Sequence, residues 1–173
     1  MAKILLKGKP GIGKTTLIKK MIEKFKKRKE KVFGFYTEEI RVKGERVGFK
    51  VVGLTEGEEV MAHINFHTSY QVSKYKVDLT RFEKVALPEL ERGLREKGVI
   101  VIDEIGKMEL FSARFQSLVS EIFKSERSII ATIPIVQIPF ITDLIKIPNV
   151  KVIEITLANR ERLEKEWENW CQE

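Results

Sequence analysis

Cysteine and histidine are almost absent from this chain of 173 residues. Cys171 is the only cysteine, which excludes an intrachain disulfide and a thiolate metal site. His63 and His67 are the only histidines, and their spacing of four residues is one that can bind a metal from a helix face. The polar residues around them and the lack of a third ligand favour a loop instead, so we expect no histidine metal site.

Long apolar runs are also missing. No run approaches the roughly 18 residues that a membrane-spanning helix needs. The apolar run after Lys3 is only three residues long, which is too short for the core of a secretory signal. These absences predict a cytoplasmic protein that has no membrane partner.

Acidic residues are outnumbered, with 25 Asp and Glu against 32 Lys and Arg and a net charge of +7. The basic excess lies partly in residues 19–20 and 24–29, along a predicted first helix. Such a surface can bind nucleic acid, but lysines near a helix C-terminus also suit the helix dipole and solvent. Nucleic acid is therefore a less favoured partner. The high Glu and Lys content, with few Asn, Gln and Cys, is typical of a thermophile.

A glycine-rich segment near the N-terminus is the strongest motif that is present. It matches the phosphate-loop pattern G-x-x-x-x-G-K-[ST] and reads Gly8, Lys9, Pro10, Gly11, Ile12, Gly13, Lys14 and Thr15. An apolar run precedes it, and residues 15–28 follow with helical periodicity, which is the strand, loop and helix context that the motif requires. The loop amides would bind phosphate oxygens, Lys14 would reach the β- and γ-phosphates, and the Thr15 hydroxyl would bind Mg²⁺.

A second motif follows a short apolar strand formed by Val99, Ile100, Val101 and Ile102. Such a continuous apolar run indicates a strand buried on both faces of a parallel sheet. Asp103 and Glu104 come next, at the strand end where open α/β sheets bind their ligands. This arrangement is typical of a Walker B strand. Asp103 would hold Mg²⁺, directly or through water, and Glu104 would polarise the attacking water.

The chain alternates strands and helices, which predicts a single α/β domain over residues 1–173. We expect a P-loop NTPase fold with a mostly parallel sheet, helices on both faces and an antiparallel hairpin inserted at about residues 38–62. Residues 63–76 are predicted to form a long loop, and loops of this length are often lids or binding segments. Asp78 and Ser112 are predicted helix caps, with one kinked helix or two over residues 78–98. A short helix over residues 135–145 and a last helix capped by Thr156 or Asn159 complete the prediction.

Base specificity has no clear sequence signal. The Asn-Lys-x-Asp segment by which typical GTPases recognise guanine is absent. Phe49, Phe66 or Tyr70 could stack on a base, although such aromatic residues more often pack in a core. We expect broad nucleotide use that depends on contacts to the triphosphate.

Several segments together resemble the small P-loop nucleoside-triphosphatases of thermophiles, whose animal relatives are called cancer-related nucleoside-triphosphatase. The resemblance lies in residues 8–15, 34–39 with Arg41, 48–49, 103–109 and 159–160. It implies a RecA-like core and slow, Mg²⁺-dependent hydrolysis of ATP, GTP, CTP and other triphosphates. It also implies nucleotide contacts from Gly8 to Thr15 and from a second segment: Val99, Ile100, Val101, Ile102, Asp103, Glu104, Ile105 and Gly106. Lys107 and Arg160 fall at family-like positions, where we expect them to stabilise phosphate charge.

Two other functions remain open on the sequence alone. A nucleotide or nucleoside kinase would use the same phosphate loop, but the stretch from Asp103 to Pro134 holds only Arg114 and Arg127, too few for an arginine-rich lid. A nucleic-acid-binding protein switched by a nucleoside triphosphate is the other alternative, because of the basic first helix. The sequence leaves open the oligomeric state and whether a partner contributes an arginine finger.

Overall fold

The structure is a computed structural model that describes residues 1–170, so Cys171 lies outside it. Within this range, nine strands form one sheet in the order β5-β6-β4-β3-β2-β7-β8-β1-β9. The strands are β1 (Lys3–Gly8), β2 (Val32–Val42), β3 (Glu45–Gly53), β4 (Glu58–His63), β5 (Tyr70–Val72), β6 (Tyr75–Val77), β7 (Val99–Ile102), β8 (Ser128–Pro134) and β9 (Val150–Glu154). The helices are α1 (Lys14–Lys27), α2 (Leu79–Arg95), α3 (Ala113–Lys124), α4 (Pro139–Ile145) and α5 (Arg160–Trp170), with a 3₁₀ turn at Glu109–Phe111.

Five neighbouring strands, β2, β7, β8, β1 and β9, are parallel. β1 lies between β8 and β9, with Lys3 paired to both Ile129 and Val150. Parallel strands align their carboxyl ends at one edge of the sheet, so the residues after β1 and β7 meet there. The predicted fold class, a mostly parallel sheet with an antiparallel addition, is confirmed.

The antiparallel part is larger than the predicted hairpin. β2 continues to Val42 and pairs with β3, and β4, β6 and β5 follow in antiparallel order. The prediction of a loop over residues 63–76 is wrong, because β5 and β6 form a second hairpin there. Tyr75 and Val77 are buried, and Val77 pairs with Ala62 of β4. Since each of these strands is only three residues long, neither shows a readable period in the sequence.

The predicted caps of two helices are confirmed. The Asp78 carboxylate accepts the backbone N–H of Arg81 at 3.1 Å, and the Ser112 hydroxyl accepts that of Phe115 at 3.1 Å. α2 is one continuous helix that contains Pro88. α4 begins at Pro139, four residues later than predicted, and proline suits the first turn of a helix.

Helices cover both faces of the parallel strands and create two apolar cores. α2, α3 and α4 pack on one face, where Phe35, Phe82 and Phe115 contact one another. α1 and α5 pack on the other, where the rings of Phe25 and Trp167 lie 5.2 Å apart. Strand β7 lies between these cores, which explains why all four of its residues are apolar and buried.

The basic face of α1 is matched by acidic residues of α5. Lys20 pairs with Glu164 at 2.7 Å, while Lys24 and Arg28 both pair with Glu168 at 2.7 and 2.6 Å. These exposed pairs add little stability, but they neutralise part of the surface that suggested nucleic-acid binding.

No helix within residues 1–170 is long and apolar enough to cross a bilayer.

A buried carboxylate joins α2 to the antiparallel strands. Glu89 is 1% exposed and accepts the backbone N–H groups of Gly34, Thr55 and Glu56 at 3.1, 3.0 and 3.0 Å. Gly34 has a φ of 108°, and a Cβ at this position would lie 1.9 Å from the Val101 carbonyl oxygen. Only glycine permits this close approach of β2 to β7.

Candidate active site

The phosphate loop connects β1 to α1 at the carboxyl edge of the sheet. Gly11 and Gly13 have φ values of 77° and 108°, a region that glycine adopts without strain. Gly13 is the N-cap of α1, and no side chain hydrogen-bonds to the cap. The first amides of α1 are therefore suited to bind an anion, as the sequence predicted for this segment.

Lys14 links the loop to the second motif. Its Nζ donates to the carbonyl oxygens of Gly8 and Lys9 at 2.7 and 3.2 Å, and lies 3.7 Å from Glu104 Oε2. The residue is 8% exposed, so this ammonium is directed along the loop rather than into solvent. The two motifs, separated by about 90 residues in sequence, thus meet at Lys14 and Glu104.

Asp103 forms the second link between the motifs. The Thr15 hydroxyl donates to its Oδ2 at 2.8 Å, and the Thr132 hydroxyl donates to its Oδ1 at 2.6 Å. Burial raises the pKa of the Asp103 carboxyl, while the hydrogen bonds from Thr132 and Thr15 oppose that rise. The Thr15 hydroxyl and the Asp103 carboxylate are hard oxygen donors in contact with each other, which fits the needs of Mg²⁺.

Glu104 follows Asp103 through a cis peptide bond and reaches the open side of the site. Its side chain is 30% exposed. Burial is the largest effect and raises the pKa of the carboxyl, the Lys14 charge lowers it, and the Asp103 charge raises it. A partly buried carboxylate at the strand end is suited to accept a proton from water.

Two functional residues were missed by the sequence reasoning. Thr132 is fully buried on β8, and besides its bond to Asp103 its carbonyl accepts the Ile105 N–H at 2.9 Å. Its signal in the sequence was a lone hydroxyl within an apolar strand.

The second of these residues is Glu109, which lies five residues after Glu104 in the segment that follows β7. Its Oε2 accepts the Gly106 N–H at 3.2 Å, and burial followed by the Glu104 charge raises the pKa of Glu109 to about 8. A Cβ at Gly106 would lie 2.6 Å from Glu104 Oε1 and 3.1 Å from Glu109 Oε2. Both carboxyl groups therefore converge on Gly106, and a pKa of about 8 favours the protonated form of Glu109 at pH 7. Its place in the resembling segment was the only available signal.

The remaining predicted residues lie at different places. Lys107 is exposed after β7, on the Glu104 side of the loop, whereas Arg160 is exposed at the start of α5, after β9. Strand order therefore places them on opposite flanks of β1. The side chains of Val99–Ile102 are buried in β7, and the nucleotide contacts expected from Val99 to Gly106 stay a prediction.

The aromatic residues considered for base stacking lie in the antiparallel part. Phe49 is on β3, four strands from β1, and its ring packs on Tyr75 at 5.1 Å. Phe66 contacts His63 at 5.7 Å, and Tyr70 contacts Phe111 at 5.1 Å. The structure does not bring Phe49 to the phosphate loop.

Comparisons with known proteins show which family the chain is similar to. The sequence model of the NTPase family matches residues 3–167. Nucleoside-triphosphatase THEP1 of Thermotoga petrophila is 45% identical over 164 residues, which cover 95% of this chain and 89% of that protein. The human cancer-related nucleoside-triphosphatase is 39% identical, covering 92% and 91%. The crystal structure of THEP1 from the hyperthermophile Aquifex aeolicus superposes with a TM-score of 0.87 at 38% identity, covering 95% of this chain and 96% of that one.

Proposed function

The chain belongs to the NTPase family, as its resemblance predicted, and from this premise we propose that it is a nucleoside-triphosphate phosphohydrolase. It cleaves the bond between the β- and γ-phosphates and releases a nucleoside diphosphate and phosphate. The observation that carries this proposal is the meeting of Lys14, Glu104, Asp103 and Thr15 at one edge of the sheet. A phosphate-binding loop next to a carboxylate that can act on water is what the hydrolysis of a phosphoanhydride requires.

The loop amides and the Lys14 ammonium bind the β- and γ-phosphates. Thr15 and Asp103 would hold Mg²⁺, which neutralises phosphate charge when it is bound. Thr132 fixes the Asp103 carboxylate in the orientation that turns Oδ2 toward Thr15. The charge of the triphosphate is thus met by groups that are already in place before it binds.

Glu104 acts on the attacking water. The water oxygen forms a bond to the γ-phosphorus, the bond from that phosphorus to the β-γ bridging oxygen breaks, and Glu104 accepts the water proton. In the free protein the Lys14 ammonium lies 3.7 Å from Glu104 and lowers its basicity. When the Lys14 ammonium binds the phosphates instead, it no longer lowers the pKa of Glu104, and the Glu104 carboxylate becomes a stronger base.

Lys107 is the better placed of the two additional cations to stabilise the charge on the γ-phosphate, because it follows the same strand as Glu104. Arg160 follows β9 on the other flank, where it would reach phosphates nearer the nucleoside.

We propose ATP, GTP, CTP and UTP as substrates, which is supported by the lack of a guanine-recognition segment. The ion pairs between α1 and α5 weigh against a nucleic-acid switch.

Phosphate release from the four triphosphates tests the proposal, with Glu104→Gln as the main variant and Glu121→Gln on the exposed face of α3 as its control. We expect Glu104→Gln to bind nucleotide while its turnover falls by roughly 10²- to 10⁴-fold, since a general base contributes about that much. The control should match the wild type, and chelation of Mg²⁺ should stop turnover. Unchanged turnover in Glu104→Gln would remove the assigned base. Release of diphosphate only when an acceptor hydroxyl is added would replace the hydrolase with a kinase.

A further inference from the structure

The direction of the bound triphosphate follows from the strand order and rests on the function proposed above. Its γ-phosphate must face Glu104 and Asp103, which follow β7. β7 and β8 lie on one side of β1, and β9 lies on the other. The nucleoside end of the substrate therefore points away from β7, toward the turn that joins β9 to α5.

This turn lies directly against the phosphate loop. The Ile155 N–H donates to the Lys7 carbonyl at 2.7 Å, which extends the β1 and β9 pairing to the end of both strands. A Cβ at Gly8 would lie 3.3 Å from the Ile155 carbonyl oxygen. Ile155, at the start of this turn, thus borders the loop on its nucleoside side.

Leu157, in this turn, is 73% exposed, which is the highest value among the large apolar side chains of residues 1–169. The turn that presents it is held by hydrogen bonds. Asn159 Oδ1 accepts the Thr156 N–H at 2.8 Å, and Asn159 Nδ2 donates to the Glu154 carbonyl at 2.8 Å. Leu157 is therefore held outward beside the phosphate loop by a fixed backbone.

The same hydrogen bonds determine how a base can be recognised. A free asparagine amide can bind the edge of a base, because it has both a donor and an acceptor. Here Asn159 Oδ1 and Nδ2 each make one hydrogen bond within the turn, which fixes the orientation of the amide and leaves it one donor hydrogen and one acceptor lone pair. The turn thus presents the apolar side chain of Leu157 to solvent, while its asparagine is oriented by contacts within the turn.

We propose that Leu157 is the nucleobase contact of this protein, and that the ring of any of the four common bases packs on its side chain. An apolar contact with a flat ring accepts purines and pyrimidines alike, because every base has an apolar face. The triphosphate is bound by the loop and the base by Leu157, so affinity does not depend on base identity.

The experiment measures the affinity of Leu157→Ser for ATP, GTP, CTP and UTP by calorimetry, with inorganic tripolyphosphate as a ligand that has no base. We expect a loss of roughly tenfold for every nucleotide, the scale of one lost apolar contact, and no change for tripolyphosphate. Leu157→Trp should restore or exceed the wild-type nucleotide affinity, since stacking on an aromatic ring is stronger. Val42→Ser is the control, because Val42 is also exposed, at 55%, but lies at the far end of β2.

Unchanged nucleotide affinity in Leu157→Ser would overturn the assignment, and so would an equal loss for tripolyphosphate. A loss of affinity for only one of the four nucleotides would overturn the claim that the contact does not depend on base identity. The proposed function is tested separately by wild-type turnover. If the wild type hydrolyses triphosphates and Leu157→Ser binds them normally, only the base contact fails, whereas a wild type that binds no nucleotide contradicts the proposed function.

Discussion

At the scale of single residues, Thr132 shows how a side chain outside both motifs determines the chemistry within them. Asp103 is only 2% exposed, and burial favours its neutral form. The Thr132 hydroxyl donates to one carboxylate oxygen and leaves the other to Thr15. The charge and the orientation of the proposed metal ligand thus both depend on Thr132.

Replacement of this hydroxyl by a methyl group tests its role. We expect Thr132→Val to require a roughly 10- to 100-fold higher Mg²⁺ concentration for half-maximal phosphate release, as is common when a residue that orients a metal ligand is lost. Thr142→Val, which removes an exposed hydroxyl from α4, should leave the Mg²⁺ dependence unchanged. An unaltered Mg²⁺ titration in Thr132→Val would show that Asp103 does not need this donor.

Lys14, Thr15, Asp103 and Glu104 are predicted site residues because each occupies a fixed position in a motif with its own chemistry, and the structure brings them together. The sequence was insufficient for Thr132 and Glu109. The Thr132 contact depends on the pairing of β7 with β8, in which Ile102 aligns with Ala131. Local sequence patterns do not specify such a register between strands separated by about 30 residues.

At the scale of elements, β2 joins the parallel and antiparallel parts of the sheet. Its first residues pair with β7, and those from Phe35 onward pair with β3. The parallel strands were predicted because short continuous apolar runs are typical of buried strands. The β5–β6 hairpin was not, because its strands are short and β6 is held by pairing with β4, which local sequence does not specify.

A comparison of Gly34 with Gly44 separates the effect of close approach between two strands from the effect of backbone strain. Both have positive φ values, 108° and 82°, but a Cβ at Gly34 would overlap the Val101 carbonyl, whereas one at Gly44 meets no atom within 4 Å. In urea denaturation we expect Gly44→Ala to cost about 1 kcal/mol of unfolding free energy. Gly34→Ala should cost at least about 3 kcal/mol, since strain and overpacking add. Similar losses in both variants would mean that β2 can shift away from β7 without penalty.

At the scale of the whole molecule, Glu109 makes the stability of the fold depend on pH. Its pKa in the folded protein is about 8, against an ordinary value of 4.5 that we take for the unfolded chain. Between these values the folded state keeps a proton that the unfolded state releases. Stability from this group is therefore complete below about pH 4.5, falls as pH rises, and is lost once pH passes about 8.

Glu109→Gln keeps an acceptor for the Gly106 N–H but cannot ionise. Measured in metal-free buffer, the variant should become more stable than the wild type by a few kcal/mol, as an order of magnitude, when pH is raised from 5 to 9. Raised pKa values at Asp103 and Glu104 act in the same direction in both proteins, and the comparison measures Glu109 together with its coupling to these two carboxylates. A difference in unfolding free energy that stays constant with pH would contradict a buried, neutral Glu109.

The position of β1 between β8 and β9 has a consequence for synthesis on the ribosome. The phosphate loop is complete within the first 15 residues, and Asp103 and Glu104 emerge well before the chain ends. The strands on both sides of β1, however, come from residues 128–134 and 150–154. A nascent chain that ends before residue 128 therefore contains every predicted site residue except Arg160. It lacks both of the strands that pair with β1. Nucleotide binding should thus appear only after residues 128–154 have been synthesised and have paired with β1.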